Sequence, residues 1–165
     1  MGARNADSAN RNLKIILAVM LAGMLAVTAF SWDGGYSSDV VETAQTAADA
    51  GALGAAQYLS STEAKSEAGL IAAINEIVEA NGIPDSDRKG GNDVNDNVAA
   101  YYMSENGDRI SGCSDVGACG TVPESAQYIK VVVVHDYAPF IVRLLGIEGL
   151  GIAAEAMAPL SGESA

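Results

Sequence analysis

Few side chains in this sequence can do chemistry, and most of those are carboxylates. The two cysteines, Cys113 and Cys119, stand in the run Cys-Ser-Asp-Val-Gly-Ala-Cys, and the single histidine is His135. Five intervening residues, one of them Gly117, allow the thiols to close a small ring. In an oxidising compartment the pair therefore reads as a disulfide rather than a metal or reactive-thiol site. A metal centre would need further ligands beside the cysteines, and His135 falls on a predicted strand. A bridge across so short a loop stabilises locally and modestly.

A second candidate is the polar stretch that begins at Asp85. Asp85, Asp87, Asp93 and Asp96 fall in the register of a calcium-binding loop, with Gly90 at its sharp turn. Lys89, however, occupies a ligand position, and the closing residue is Asp rather than Glu. A solvated turn rich in Asp, Asn and Gly is the default reading, and calcium is the one cofactor to be weighed against none. Paired carboxylates such as Glu42 and Asp49 read as a solvated helix face. The glycines of Leu145-Gly-Ile-Glu-Gly-Leu-Gly151 read as turn residues, because no helix with free amides clearly follows them. No nucleophile, base or metal set can be assembled from these parts, so the chain is expected not to be an enzyme.

The charge is distributed unevenly. Of a formal net charge of -12, the flank holding Arg4, Arg11 and Lys14 against Asp7 carries +2, and the remainder carries -14. Between them lies Ile15 to Trp32, 18 residues without a charge. At 1.5 Å rise such a run comes close to the ~30 Å of a bilayer's hydrocarbon core. A basic flank, an apolar run and an acidic body predict a single-pass protein with its N-terminus inside and its body outside. Trp32 and Tyr36 stand where an interfacial aromatic belt would lie. The acidic body offers nothing to replace phosphate counterions, so nucleic acid is not an expected partner. The rival reading of the run is a secretory signal cleaved near Ala29, after Val27 and Thr28. Prepilin-type processing lacks its motif: Gly2 comes too early, and no Glu follows Gly23 at the required place.

Asp33-Gly34-Gly35-Tyr36 could break the helix or only soften it, since each glycine costs about 1 kcal/mol relative to alanine. Ser38 to Leu59 is again helical in composition. Small residues line it in two ridges, Ala44, Ala48, Ala52 and Ala56 on one and Ala47, Gly51 and Ala55 beside it. Such ridges let a neighbour come close, either this chain's own sheet or a second subunit. If the stretches join, one helix of about 48 residues, roughly 70 Å, results. The residues expected to anchor or pack it are Ile15, Ile16, Val19, Met20, Gly23, Leu25, Val27, Phe30 and Trp32, then Ala44, Ala48, Gly51, Ala52 and Ala55.

Further along, Glu63 to Ala80 has one apolar face through Leu70, Ile71, Ile74, Ile77 and Val78, with Asn81-Gly82 as a stop. Strands are expected at Val98 to Ser104, Tyr128 to Tyr137 and Leu150 to Ala158, and a short helix from Pro139 to Leu145. Four consecutive valines, Val131 to Val134, predict a strand covered on both faces. The expected fold is α+β, a long N-terminal helix on a small, mainly antiparallel sheet. Residues 1–32 form the cytoplasmic flank and anchor, and 33–165 the acidic extracytoplasmic domain.

Two segments together resemble the TadE/TadG-like proteins of tight-adherence (Tad, or Flp-type) pilus systems. The first is Asp33-Gly34-Gly35-Tyr36 leading into Gln45-Thr-Ala-Ala-Asp-Ala-Gly-Ala-Leu-Gly-Ala-Ala56, directly after the apolar run. The second is Ile129 to Ala158, with its valine strand, Phe140-Ile-Val-Arg-Leu-Leu-Gly-Ile147 and Ala-rich close. The chain departs from the family where Tyr36 replaces a frequent Arg. It also lacks the Asp-x-Ser-x-Ser signature of the larger members' adhesion domain. The resemblance implies a pilin-like structural or assembly component of a surface filament. Its partners would be copies of itself or other pilins, and the membrane before assembly. It would reside in the cell envelope, or in an extracellular filament once assembled. The alternative from a different class is a membrane-tethered ligand-binding or sensory module using the Asp-rich loop.

Overall fold

The computed structural model describes residues 3–61, 66–84, 93–95 and 97–160; side chains are described from Leu13 onward, those of Asp93 and Asn95 excepted. Helix α1 runs from Ala3 to Ser61, and helix α2 from Glu67 to Ala80. Strands β1 (Asp93–Asn95), β2 (Val98–Met103) and β3 (Tyr128–Tyr137) follow, then helix α3 (Phe140–Leu144) and strand β4 (Leu150–Pro159). The strands form one antiparallel sheet in the order β1-β2-β3-β4. The fold is α+β and pilin-like in architecture, a long apolar N-terminal helix with a small antiparallel sheet.

Contacts divide the chain into two compact units. One holds the chain up to Ser38 together with Ala138–Gly149. The other holds Asp39–Tyr137 and the chain from Leu150 onward.

The helix does not break at Asp33-Gly34-Gly35-Tyr36. Nothing stands within 4 Å of where a Cβ would lie at Gly34 or Gly35, so no close neighbour requires these glycines. Their cost, about 1 kcal/mol each, falls inside a cooperative helix with long runs of good formers on both sides.

In the second unit the small residues of α1 turn inward. Ala44, Ala47, Ala48, Ala52, Ala55 and Leu59 are all buried. Part of the reason is distance: a Cβ on Gly51 would stand 2.9 Å from Val78 Cγ2 of α2 and 3.4 Å from Val131 Cγ1 of β3. Only a bare backbone lets both neighbours approach so closely. The core closes with Leu70, Ile74 and Val78 of α2 and Ile129, Val131 and Val133 of β3. Helix α2 begins at Glu67, where Ser66 caps it and accepts the Gly69 amide at 3.1 Å; Glu63, the expected start, lies outside the described residues. Asn81 caps its other end, and Gly82 then leaves in the left-handed region.

The valine strand departs from expectation. Ile129, Val131 and Val133 are buried, while Val132 and Val134 are only half-covered. The helices cover one face of the sheet, as suits antiparallel pairing, so alternation wins over the continuous apolar run. On the other face Lys130 meets Glu155 at 2.6 Å. Such an exposed pair contributes roughly 0–1 kcal/mol.

Replacing Gly51 with Leu should lower stability by about 1–3 kcal/mol or more through overpacking against Val78 and Val131. Replacing exposed Leu53 with Ala should change it by less than about 0.5 kcal/mol. Thermal melts followed by circular dichroism distinguish the two; equal effects would contradict the packing described.

Candidate functional site

The most unusual surface of the molecule is the first part of α1. From Leu13 to Trp32 twelve large apolar side chains are each more than half exposed, and none of the most apolar 18-residue window is buried. Ile15, Ile16, Val19, Met20, Leu25, Val27, Phe30 and Trp32 all lie in this exposed set. At Gly23 nothing stands within 4 Å of where a Cβ would lie. The polar side chains in the run are satisfied internally. Thr28 donates to the Met24 carbonyl and Ser31 to the Val27 carbonyl, both at 2.9 Å. A hydroxyl returned to its own helix needs no water, the condition for polar groups in a lipid environment. By length and composition this helix can cross a membrane.

The second group of packing residues is placed differently. Ala44, Ala48, Gly51, Ala52 and Ala55 are buried within the chain itself, in the unit that begins at Asp39. The small-residue ridge therefore serves the internal core, and the surface left for a partner lies N-terminal to it. One helix carries two surfaces with opposite fates.

Cys113 and Cys119 are joined as a disulfide, with their Cα atoms 5.5 Å apart. The loop they close is tied down by a buried carboxylate that sequence reading missed. Glu67 is only 5% exposed. Its Oε1 accepts the Tyr102 hydroxyl at 3.1 Å, and its Oε2 accepts the Gly120 amide at 2.6 Å. One side chain thus joins the start of α2, strand β2 and the residue after Cys119. Burial first, and then the neighbouring Glu67 charge and hydrogen bond, raise the Tyr102 hydroxyl well above its ordinary pKa. The only available signal was positional, an acid directly after a serine N-cap.

The remaining candidates gather into no site. His135 is half-buried on β3 and pairs across the sheet with Ile152. Glu42 and Asp49 are exposed, and Asp49 accepts a hydrogen bond from Gln45 at 3.1 Å. Among the described residues no group of His, Cys, Asp or Glu is arranged to hold a metal. The calcium candidates Asp85, Asp87 and Asp96 lie outside the described residues, and Asp93 is described only as backbone in β1.

Within the first unit a second unforeseen contact involves Asp33. Its two carboxylate oxygens accept the backbone amides of Phe140 and Ile141 at 2.9 and 2.7 Å, joining the residue after Trp32 to the start of α3. Comparisons with protein-family models, with curated proteins and with solved structures found no match for this chain.

The Tyr102 environment predicts an alkaline limit to stability. Between the ordinary tyrosine pKa near 10 and its raised folded value, the folded chain holds a proton that the unfolded chain loses. Stability is therefore fully present below about pH 10 and declines as pH rises past it. Tyr102→Phe should cost about 1–2 kcal/mol at neutral pH and make that alkaline decline shallower. Denaturant midpoints measured across the range would show both; an unchanged slope would contradict the assignment.

Proposed function

We propose that the chain is a structural subunit or assembly component of a pilus-like surface filament. The exposed apolar length of α1 carries this reading. Burying a large apolar side chain fully is worth roughly 1.5–3 kcal/mol, so twelve side chains left more than half exposed represent on the order of 10 kcal/mol or more of unclaimed driving force. Lipid can claim it while the protein is a membrane resident, and sister helices can claim it in a filament. Close packing at Gly23 would let helix backbones approach in either state.

The order of the segments supports the same reading. A basic flank, the uncharged run, the Asp-Gly-Gly segment and an Ala-rich stretch resemble the TadE/TadG-like pattern in their order, and the pilin-like architecture agrees with it. The body would stand outside the membrane, where the Cys113–Cys119 bridge is chemically at home. The protein then works by burial and close packing, and the reading assigns it no catalytic task.

Gly23→Ile tests the packing, because the side chain adds no contact inside the monomer and keeps the run apolar. Filaments imaged from native cells should contain the wild-type chain. The variant should still enter the membrane, but its incorporation should drop about tenfold, equivalent to 1.4 kcal/mol per subunit. An intact mass of the native protein gives the state of the N-terminus. Native filaments without the chain, together with a monomer in detergent, would defeat the proposal.

A further inference from the structure

We infer that α3 and its flanks form a second membrane-contacting element that lies on the outer leaflet beside the anchor. The inference rests on the anchor reading above and adds a surface to it.

The argument starts from position. Ile15 to Trp32 is uncharged over 18 residues, and Asp33 is the first acid past it. A carboxylate at mid-bilayer costs ~3 kcal/mol, so with the run in lipid Asp33 marks the boundary of the hydrocarbon. The Phe140 and Ile141 amides donate to that same carboxylate. The start of α3 is thereby held at the depth where headgroups meet acyl chains.

The composition of α3 suits that depth. Phe140, Leu144 and Leu145 are 62%, 75% and 72% exposed, and Ile147 is 48% exposed. Phe140 and Leu144 are four residues apart and share a helix face. A helix this short gains little from exposing such residues to water, and a contiguous exposed apolar patch marks an interaction surface. Between α1 and α3 lies an open cleft of about 570 Å³, lined among others by Trp32, Tyr36, Phe140, Arg143 and Leu144. Arg143 is exposed and has no ion-pair partner among the described residues. Aromatic rings, aliphatic side chains and one cation at a single depth match the acyl shoulder and phosphate of a phospholipid. A second copy would have no comparable reason to meet the chain at that depth with an arginine among apolar residues.

The test uses the full-length protein in phosphatidylcholine–phosphatidylglycerol vesicles, with part of the lipid brominated near the carboxyl end of its acyl chains. Trp32, the only tryptophan, reports the anchor. Leu144→Trp in a Trp32→Phe background reports α3, and Leu145→Trp in the same background serves if the first variant does not fold. Both reporters should lose fluorescence at least about twofold to bromolipid, and both should be shielded from iodide, as for side chains ~5–10 Å below the surface. If Trp32 is quenched while both α3 reporters stay open to iodide, the inference fails and the anchor reading stands. Shielding of α3 that ignores bromolipid but grows with the protein-to-lipid ratio would assign the surface to a second copy and overturn the inference. An unquenched Trp32 would remove the anchor reading, and this inference with it.

Discussion

Apolar helix surface has to be covered, and along α1 the chain covers only part of it. From Val40 to Leu59 the inward positions are buried by α2 and the sheet. From Leu13 to Trp32 the large apolar side chains stay more than half exposed among the described residues. The small residues of the covered stretch follow from this. Alanine and glycine supply little apolar area each, but they let α2 and β3 come close enough to exclude water without bulky side chains. That is how a chain with only 5% aromatic residues still builds a dense core. The large side chains, Leu, Ile, Met, Phe and Trp, are concentrated where the chain offers no cover of its own. That exposed length is suited to packing against a membrane or other subunits.

Two carboxylates organise the polar part of the structure, and each does so by accepting backbone amides. Glu67 binds Gly120 and Tyr102, so the disulfide loop is fastened to the core at a second place besides its own bridge. A buried carboxylate is costly when unpaired, and here both of its oxygens are used. Asp33 plays the corresponding part in the first unit, where it takes the amides that begin α3. Pro139, directly before them, has no amide to place, and its carbonyl accepts from Arg143 at 3.0 Å. These contacts order the start of α2 and the start of α3.

The sheet has one dry face and one partly wet face. Tyr101 on the wet face carries the Arg109 guanidinium 3.6 Å above its ring, and Lys130 reaches Glu155 nearby. These contacts use long side chains to cover the strand backbone without building a second core. The valine run of β3 misled because its residue types suit any strand, buried on one face or on two. Which applies depends on how many layers pack against the sheet.

Much of the fold was legible in the sequence. The uncharged run, the helix stop at Asn81-Gly82, the strand from Tyr128 to Tyr137, the short helix after Pro139 and the pairing of Cys113 with Cys119 are each signalled by neighbouring residues. They depend on hydropathy, turn chemistry or loop closure over a few positions, so local reading suffices. Tertiary structure alone decided three matters: that the Ala and Gly ridge of α1 faces this chain's own core, that Glu67 is buried against Tyr102 and Gly120, and that the Asp33 carboxylate accepts the first amides of α3. The two partners of Glu67 lie 35 and 53 residues away in sequence, and those of Asp33 more than 100. A carboxylate reads the same whether it meets water or a distant amide, and only the folded chain brings that amide within reach.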